Sequence, residues 1–399
     1  MPTNRPKTCC ATGRREFLHA ASLAAGSAWF ARRAIAAAPV ARILSTDVIS
    51  AEPHVYHGWP TVCRRKNGQV LLVWSGGREA HICPFGRVDW MKSDDGGRSW
   101  TWPRTLLDSA IDDRDAGVLE TDAGSILVTT FTSLAWEPIL ERAEQQVSGG
   151  NDDGWPEERL NRWRAARRRL AAAARKAELS TWMIRSTDGG ITWSARYEVP
   201  VNSPHGPVQL TDGRLLYAGK QLWRENDKVG VSQSSDDGLT WGDVVEIPPR
   251  PGDNPSDYHE LHAVETGEGR IIAHIRNHNP QNERETLQTH SDDGGESWAI
   301  PYPIGVWGLP SHLVRLRDGR LLMTYGHRRQ PLGNQARVSQ DAGRTWSEAV
   351  VLSGDGASGD LGYPSTVEQE NGELLTIWYE KLPGGPLAVL RQARWQLES

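Results

Sequence analysis

Six short segments of this 399-residue chain carry side chains suited to acid–base chemistry or charge recognition, each directly ahead of an apolar run. They are His57-Gly58-Trp59, Arg114-Asp115, His205, His259-Glu260, Ser311-His312 and Tyr363. Arginine offers a permanent planar charge that pairs bidentately with a carboxylate. His, Asp and Glu move protons, whereas a Tyr hydroxyl, with a free pKa of about 10, is a weak nucleophile until a base stands beside it. Such groups at six equivalent positions would make a poor core, since each would need a buried partner or water. The economical reading is a polar cavity that binds a ligand, if the fold brings the six segments together. Plainer roles stay open: wall histidines at His205 and His312, an ion pair at Glu260, a satisfied buried hydroxyl at Tyr363.

The elements that would do so are legible as repeats. An apolar strand, a tight turn and a second apolar strand recur six times, with turns at Asn67-Gly68, Asp122-Ala123-Gly124, Asp212-Gly213, Gly267-Glu268-Gly269, Asp318-Gly319 and Asn371-Gly372. These are hairpin signals. Between them Ser-x-Asp-x-Gly-x-(Ser/Thr)-Trp occurs five times, from Ser93, Ser186, Ser234, Ser291 and Ser339. Its Asp accepts backbone N–H groups across a turn, its Gly supplies positive φ, and its Trp buries apolar area, so these aspartates read as structural. A unit near 50 residues suits one four-stranded blade. The fold expected is all-β: a six-bladed β-propeller whose inner strands converge on a central channel. The strand from Arg42 to Ser50 has no hairpin partner of its own and is expected to complete the last blade, leaving no open edge. A helical insertion over 136–178 interrupts the second blade. It reads either as a surface pair of helices separated by Gly149, Gly150 and Gly154, or as a lid or dimer contact that reaches the site with Trp155 or Trp163.

The eight-residue repeat is that of the Asp-box, and nearly all of the chain beyond its first forty residues resembles the sialidase-like superfamily. That resemblance implies a glycosidase site. Tyr363-Pro364-Ser365 is similar to the family's nucleophilic Tyr segment, and Glu260 to the Glu paired with it. Arg276, sixteen residues after Glu260, resembles the second arginine of a carboxylate-binding triad, and Arg328 the third, with Arg329 as an alternative. Arg78 resembles an additional arginine beside the acid loop. An ion pair between blades is the plainer role for Arg276 and Arg328. Two family features are absent: the first arginine, where His57-Gly58-Trp59-Pro60 stands, and the acid/base Asp after Arg78, where Glu79-Ala80-His81-Ile82-Cys83 stands. Glu79 or His81 is expected to carry the proton, or Asp115 in their place, and Arg114 to stand in for the missing arginine. His205, His259 and His312 complete the expected substrate wall. No cofactor or metal is expected.

The N-terminus adds a destination. Thr12-Gly13-Arg14-Arg15-Glu16-Phe17-Leu18 is a twin-arginine pattern, followed by a short apolar run and small residues near Ala36. Residues 1–36 are read as a twin-arginine signal and 37–399 as the propeller, exported to the periplasm or beyond. Without residues 1–36 the chain carries 39 Lys+Arg against 49 Asp+Glu, which argues against nucleic acid or an anionic membrane as partner. No membrane span is expected in the mature chain. Cys63 and Cys83, the two cysteines left, form no disulfide framework, and whether they pair stays open. The function expected is hydrolysis of an acidic sugar such as a sialic acid from a glycan. A uronate lyase and a non-catalytic glycan-binding propeller are the alternatives.

Overall fold

A computed structural model describes residues 39–50, 52, 54–148, 154–223 and 228–398. The twin-arginine segment lies outside them, as do Gly149 and Gly150. Each Asn-Gly or Asp-Gly turn joins the first and second strands of a four-stranded antiparallel blade, and six such sheets are present. The innermost strands are Tyr56–Arg64, Asp112–Glu120, Val208–Gln209, Tyr258–Glu265, Ser311–Arg315 and Leu361–Glu368. All four strands of the first five blades follow one another in sequence. The sixth blade takes its outermost strand from the N-terminal side of the propeller: Val40–Val48 pairs antiparallel with Ala388–Glu398. The ring is thereby closed by backbone hydrogen bonds between the two ends of the domain.

Second strands explain why the sequence reads as uninterrupted apolar runs. Val70, Leu71, Leu72, Val73 and Trp74 are all buried, since the second strand of a blade is covered on both faces by its neighbours, and period-two alternation is lost. The apolar residues gather accordingly into one cluster at each of the six blade interfaces, for example Leu71, Val73 and Val88 with Val118, Ile126 and Val128.

The Asp-boxes strengthen the same interfaces. In the first, Ser93 Oγ donates to Asp95 Oδ1 (2.8 Å), while Ser99 N and Ser99 Oγ donate to the same carboxylate at 2.8 and 2.6 Å. Gly97 holds φ +87°, and a Cβ there would lie 2.8 Å from Leu375 of the preceding blade. Trp100 Nε1 donates to Gln392 of that blade, and Trp346 Nε1 likewise to Gln288. The repeated turn is therefore a clasp between blades, far in role from catalysis.

Among the described residues the insertion holds three helices rather than two: α1 (Glu137–Ser148), α2 (Glu157–Arg167) and α3 (Ala172–Ala177). Trp163 is fully buried with Trp136, Leu140, Leu160 and Cys83. Arg164 and Arg167 on α2 pair with Glu144 on α1, so part of the basic face is spent between helices. The cluster seats the loop that follows the second strand of blade one. Cys63 and Cys83 are free thiols. Among the described residues no helix is long and apolar enough to cross a membrane.

A chain begun at Ile49 would lack the closing strand and expose Ala388–Glu398 as an edge. Compared with a chain begun at Ala37, its melting temperature is expected to fall, and light scattering should report association through the unpaired edge.

Candidate active site

The site is built where inner strands depart from regular pairing. Register breaks between Gly58 and Thr61, Arg114 and Gly117, His259 and Leu261, and Gly362 and Ser365. Within those breaks stand Trp59, Asp115, Glu260 and Tyr363. Pro60 and Pro364 help fix two of them, since proline has no N–H to give to the ladder. Trp59, Asp115 and Tyr363 hold φ of 52°, 49° and 52°, a left-handed backbone that costs a non-glycine residue about 1–3 kcal/mol. The bulges turn these four side chains into one cavity of ≈ 340 Å³, which His81, Arg114, Arg276 and Arg328 also line, with Ile82 and Phe131 as apolar wall.

Tyr363 and Glu260 meet there, from blades six and four. Tyr363 Oη donates to Glu260 Oε1 at 2.6 Å, and Arg276 Nη1 donates to Glu260 Oε2 (2.6 Å) and to Tyr363 Oη (2.9 Å). Burial pushes the Glu260 pKa up, but the Arg276 charge and the hydrogen bonds from Tyr363 and Arg276 outweigh it, so the carboxyl is held below its usual range. Burial, and then the Glu260 charge, raise the Tyr363 hydroxyl well above its ordinary pKa, and Arg276 only partly opposes them. Tyr363 is thus a neutral phenol bonded to an ionised base. Asp115 lies opposite in electrostatic terms. Burial raises its pKa to about 7, Arg114 opposing and Glu260 reinforcing the rise.

His81 Nδ1 lies 2.9 Å from both Tyr56 Oη and Asp360 Oδ1, and Tyr56 Oη donates to the same Asp360 oxygen at 2.9 Å. Its ring stands edge-on to Trp59, with centroids 5.0 Å apart. Arg114 lies over the same indole at 4.5 Å and bonds the His81 carbonyl at 3.4 Å. Arg328 donates from Nε to the Leu361 carbonyl at 3.0 Å.

Seven of the expected site residues therefore share the cavity: Tyr363, Glu260, His81, Asp115, Arg114, Arg276 and Arg328. Four do not line it. Arg78 is fully buried, bonded bidentately to Asp112 at 2.6 and 3.0 Å and to the carbonyls of Asp113 and His81. Its guanidinium lies 4.9 Å from the Trp59 ring centroid, so it positions the loop and the indole rather than touching a ligand. His205 and His312 are buried with His262, at centroid separations of 4.5–5.5 Å. Burial holds all three well below the ordinary His pKa, and hence neutral. His259 packs on His278 instead, 4.7 Å away. Glu79, a candidate acid, is taken up by Arg159, Arg162 and the Trp163 indole of the insertion.

Sequence reasoning passed over Asp112, Asp360 and His278, and named Trp59 only as one of the residues opening the first inner strand. Trp59-Pro60 and Tyr363-Pro364 are the same dipeptide pattern at equivalent starts, a signal that would have raised Trp59. Asp360 carries no such mark. Among the described residues no group of His, Cys, Asp and Glu is disposed to hold a metal ion. His262 Nδ1 accepts the Leu313 N–H, so its neutral ring presents an Nε2–H donor and not a ligating lone pair.

Replacing Asp112 by Asn would leave the Arg78 charge buried with no counterion. Urea unfolding is expected to show a loss of about 3 kcal/mol or more; an unchanged midpoint would mean that Arg78 is not held as described.

The BNR repeat-like domain family matches residues 162–376, more than half of the chain. A xyloglucanase from Paenibacillus sp. is 29% identical over 48% of this chain and 21% of its own length. A sialidase from Micromonospora viridifaciens is 24% identical over 42% of this chain and 31% of its own length. The chain thus spans less than a third of either curated relative. A Dyadobacter fermentans protein of unknown function shares the fold at a TM-score of 0.71 and 22% identity, over 90% of this chain and 99% of that one. With five Asp-boxes on a six-bladed ring, the chain belongs to the BNR repeat-like domain family, within the sialidase-like Asp-box superfamily.

Proposed function

We propose that this chain is an exported glycoside hydrolase that releases an acidic, carboxylated sugar such as a sialic acid from a glycan. The observation that carries the reading is the 2.6 Å bond from Tyr363 Oη to Glu260, with Arg276 bridging both. A buried phenol bonded to an ionised carboxylate is an activated nucleophile: Glu260 takes the proton as the Tyr oxygen attacks the anomeric carbon. Because the Tyr363 pKa is raised, proton transfer accompanies attack and a standing phenolate is not needed. A neutral nucleophile also avoids repulsion by an anionic sugar, the reason sialidases depart from the two-carboxylate scheme.

The leaving oxygen needs a proton, and Asp115, with its pKa near 7, holds one at neutral pH and faces the same cavity. In the first half the bond from the anomeric carbon to the leaving oxygen breaks, Asp115 protonates that oxygen, the Tyr363 proton passes to Glu260, and an aryl glycoside joining the sugar to Tyr363 Oη remains. In the second, ionised Asp115 takes a proton from water, the hydroxide equivalent attacks the anomeric carbon, and Tyr363 leaves with its proton returned from Glu260. Arg328 and Arg114, with Arg276, supply the carboxylate clamp, Arg114 standing where the family's first arginine is missing. Ile82, Phe131 and Trp59 keep part of the wall dry, which strengthens these charges. A uronate lyase would draw on a His or Tyr base: His205, His259 and His312 lie off the cavity, whereas His81 and Tyr363 line it, so the products decide between elimination and hydrolysis. The binding-only reading leaves the proton-bearing Asp115 and the strained Tyr363 backbone without a purpose.

Mass spectrometry after incubation with sialylated and uronate-containing glycans is expected to show product pairs carrying one added water. Products without added water would mean elimination and would sink the hydrolase reading. Tyr363→Phe should lower kcat by about a hundred- to ten-thousand-fold; unchanged turnover would remove Tyr363 as nucleophile.

The pH profile tests Asp115. It donates only while protonated, so kcat/KM should fall as pH rises through about 7, the value to which burial raises it. Asp115→Asn should abolish that limb, and an activated aryl glycoside, which needs no proton on its leaving group, should lose much less than a natural glycoside. Equal losses on both substrates would move the acid to His81.

A further inference from the structure

Beside the reacting groups lies a second cavity of ≈ 290 Å³, whose wall includes Arg276, His278, Arg284, Trp307 and Arg328. Arg276 and Arg328 belong to both cavities, so a ligand anchored in the first can extend into the second. Among the described residues no carboxylate lines this wall. Three guanidinium groups converge on it, and two of them, Arg284 and Arg328, have little to neutralise them. Arg276 has Glu260, which faces the first cavity. Among the described residues Arg284 has only Glu283 at 3.4 Å, with both side chains more than half exposed, a pairing that water screens. Arg328 spends one N–H on a carbonyl, and among the described residues no carboxylate pairs with it.

The remaining groups suit a sugar. His278 Nε2 accepts from Arg276 Nε at 2.8 Å, so its ring proton sits on Nδ1 and adds a neutral donor. Burial and the Arg276 charge push its pKa down to about 4, so it brings no charge of its own at neutral pH. Trp307 supplies an aromatic plane at the wall, braced by the Arg329 guanidinium 3.8 Å from the ring centroid. A concave site with an aromatic plane and uncompensated guanidinium groups recognises a ring that carries an anion.

We propose that this second cavity is a subsite for a second acidic group, a carboxylate or a sulfate ester, on the sugar unit next to the one that reacts. The preferred substrate is then a glycan with negative charge on consecutive units, and Arg284 is the residue that selects for it. The inference rests on the acidic-sugar reading of the first cavity.

The test is calorimetric binding to the full-length Tyr363→Phe chain, in which ligands do not turn over. Three comparisons are made: galacturonate with digalacturonate, sialic acid with α2,8-linked disialic acid, and unsulfated with sulfated glucuronate disaccharide. At least one doubly charged ligand is expected to bind about tenfold more tightly than its singly charged counterpart, the gain of one charge-assisted pair. That ratio should collapse to about one to three when Arg284→Asn is added, Asn being chosen because it tolerates the left-handed backbone there (φ 62°). Whichever comparison shows the gain distinguishes carboxylate from sulfate. If singly charged sugars bind and no doubly charged one gains, or if Arg284→Asn keeps the gain, the subsite is overturned while the acidic-sugar reading stands. If no acidic sugar binds at all, that reading falls and takes the subsite with it.

Discussion

The second strand of every blade is apolar on both faces, and only a neighbour on each side can cover it. That constraint governs the rest of the structure. A row of such blades would leave an uncovered face and an open edge at each end, whereas a closed ring leaves neither. Closure here is made by Val40–Val48 pairing with the C-terminal strand, so two distant parts of the chain must meet before the cores on either side of the sixth blade are complete. The Asp-boxes add polar and aromatic ties at the same interfaces, with Trp100, Trp193 and Trp346 each lying against the preceding blade. A ring held this stiffly can tolerate irregularity at its centre.

The site uses that tolerance. Four bulges lift Trp59, Asp115, Glu260 and Tyr363 out of their ladders, three of them into the left-handed region. An isolated hairpin would relax such a backbone. Within the ring, blade-to-blade packing fixes it, and side chains from blades one, two, four and six come within reach of one another. The insertion contributes from outside: Trp163, Arg159 and Arg162 hold Glu79, and so the loop bearing His81.

Electrostatics divide the cavity into halves. Arg276 keeps Glu260 ionised despite burial, while Asp115, buried and close to that negative charge, is driven the other way. Two carboxylates of similar intrinsic strength are thus set to opposite protonation states, the condition under which one serves as base and the other as acid. Burial, and then the same charge on Glu260, keep Tyr363 protonated.

Much of the fold was legible in the sequence because its signals are local. Asn-Gly and Asp-Gly turns, apolar runs and the Asp-box each fold with their own neighbours, so six turns and five boxes sufficed for six blades and for a leftover strand to close them. The residues opening each inner strand likewise marked the cavity, and seven of eleven expected side chains line it. The rest depended on partners far away in sequence. Arg78 looks like a ligand-binding arginine until Asp112 of the next blade saturates it. His205 and His312 look like wall residues until His262 shows them stacked in a buried, neutral group. Asp360, which anchors His81, lies 279 residues away from it. Even Tyr363 and Glu260, both named from sequence, acquired their opposed pKa shifts only in the fold, Tyr363 from burial and the Glu260 charge, Glu260 from Arg276 and the hydrogen bonds it accepts. Residue types and spacing determined which elements form and where chemistry gathers. The protonation states, and the choice between touching a ligand and supporting a neighbour, were decided by tertiary structure, because both depend on which charges become buried next to each other.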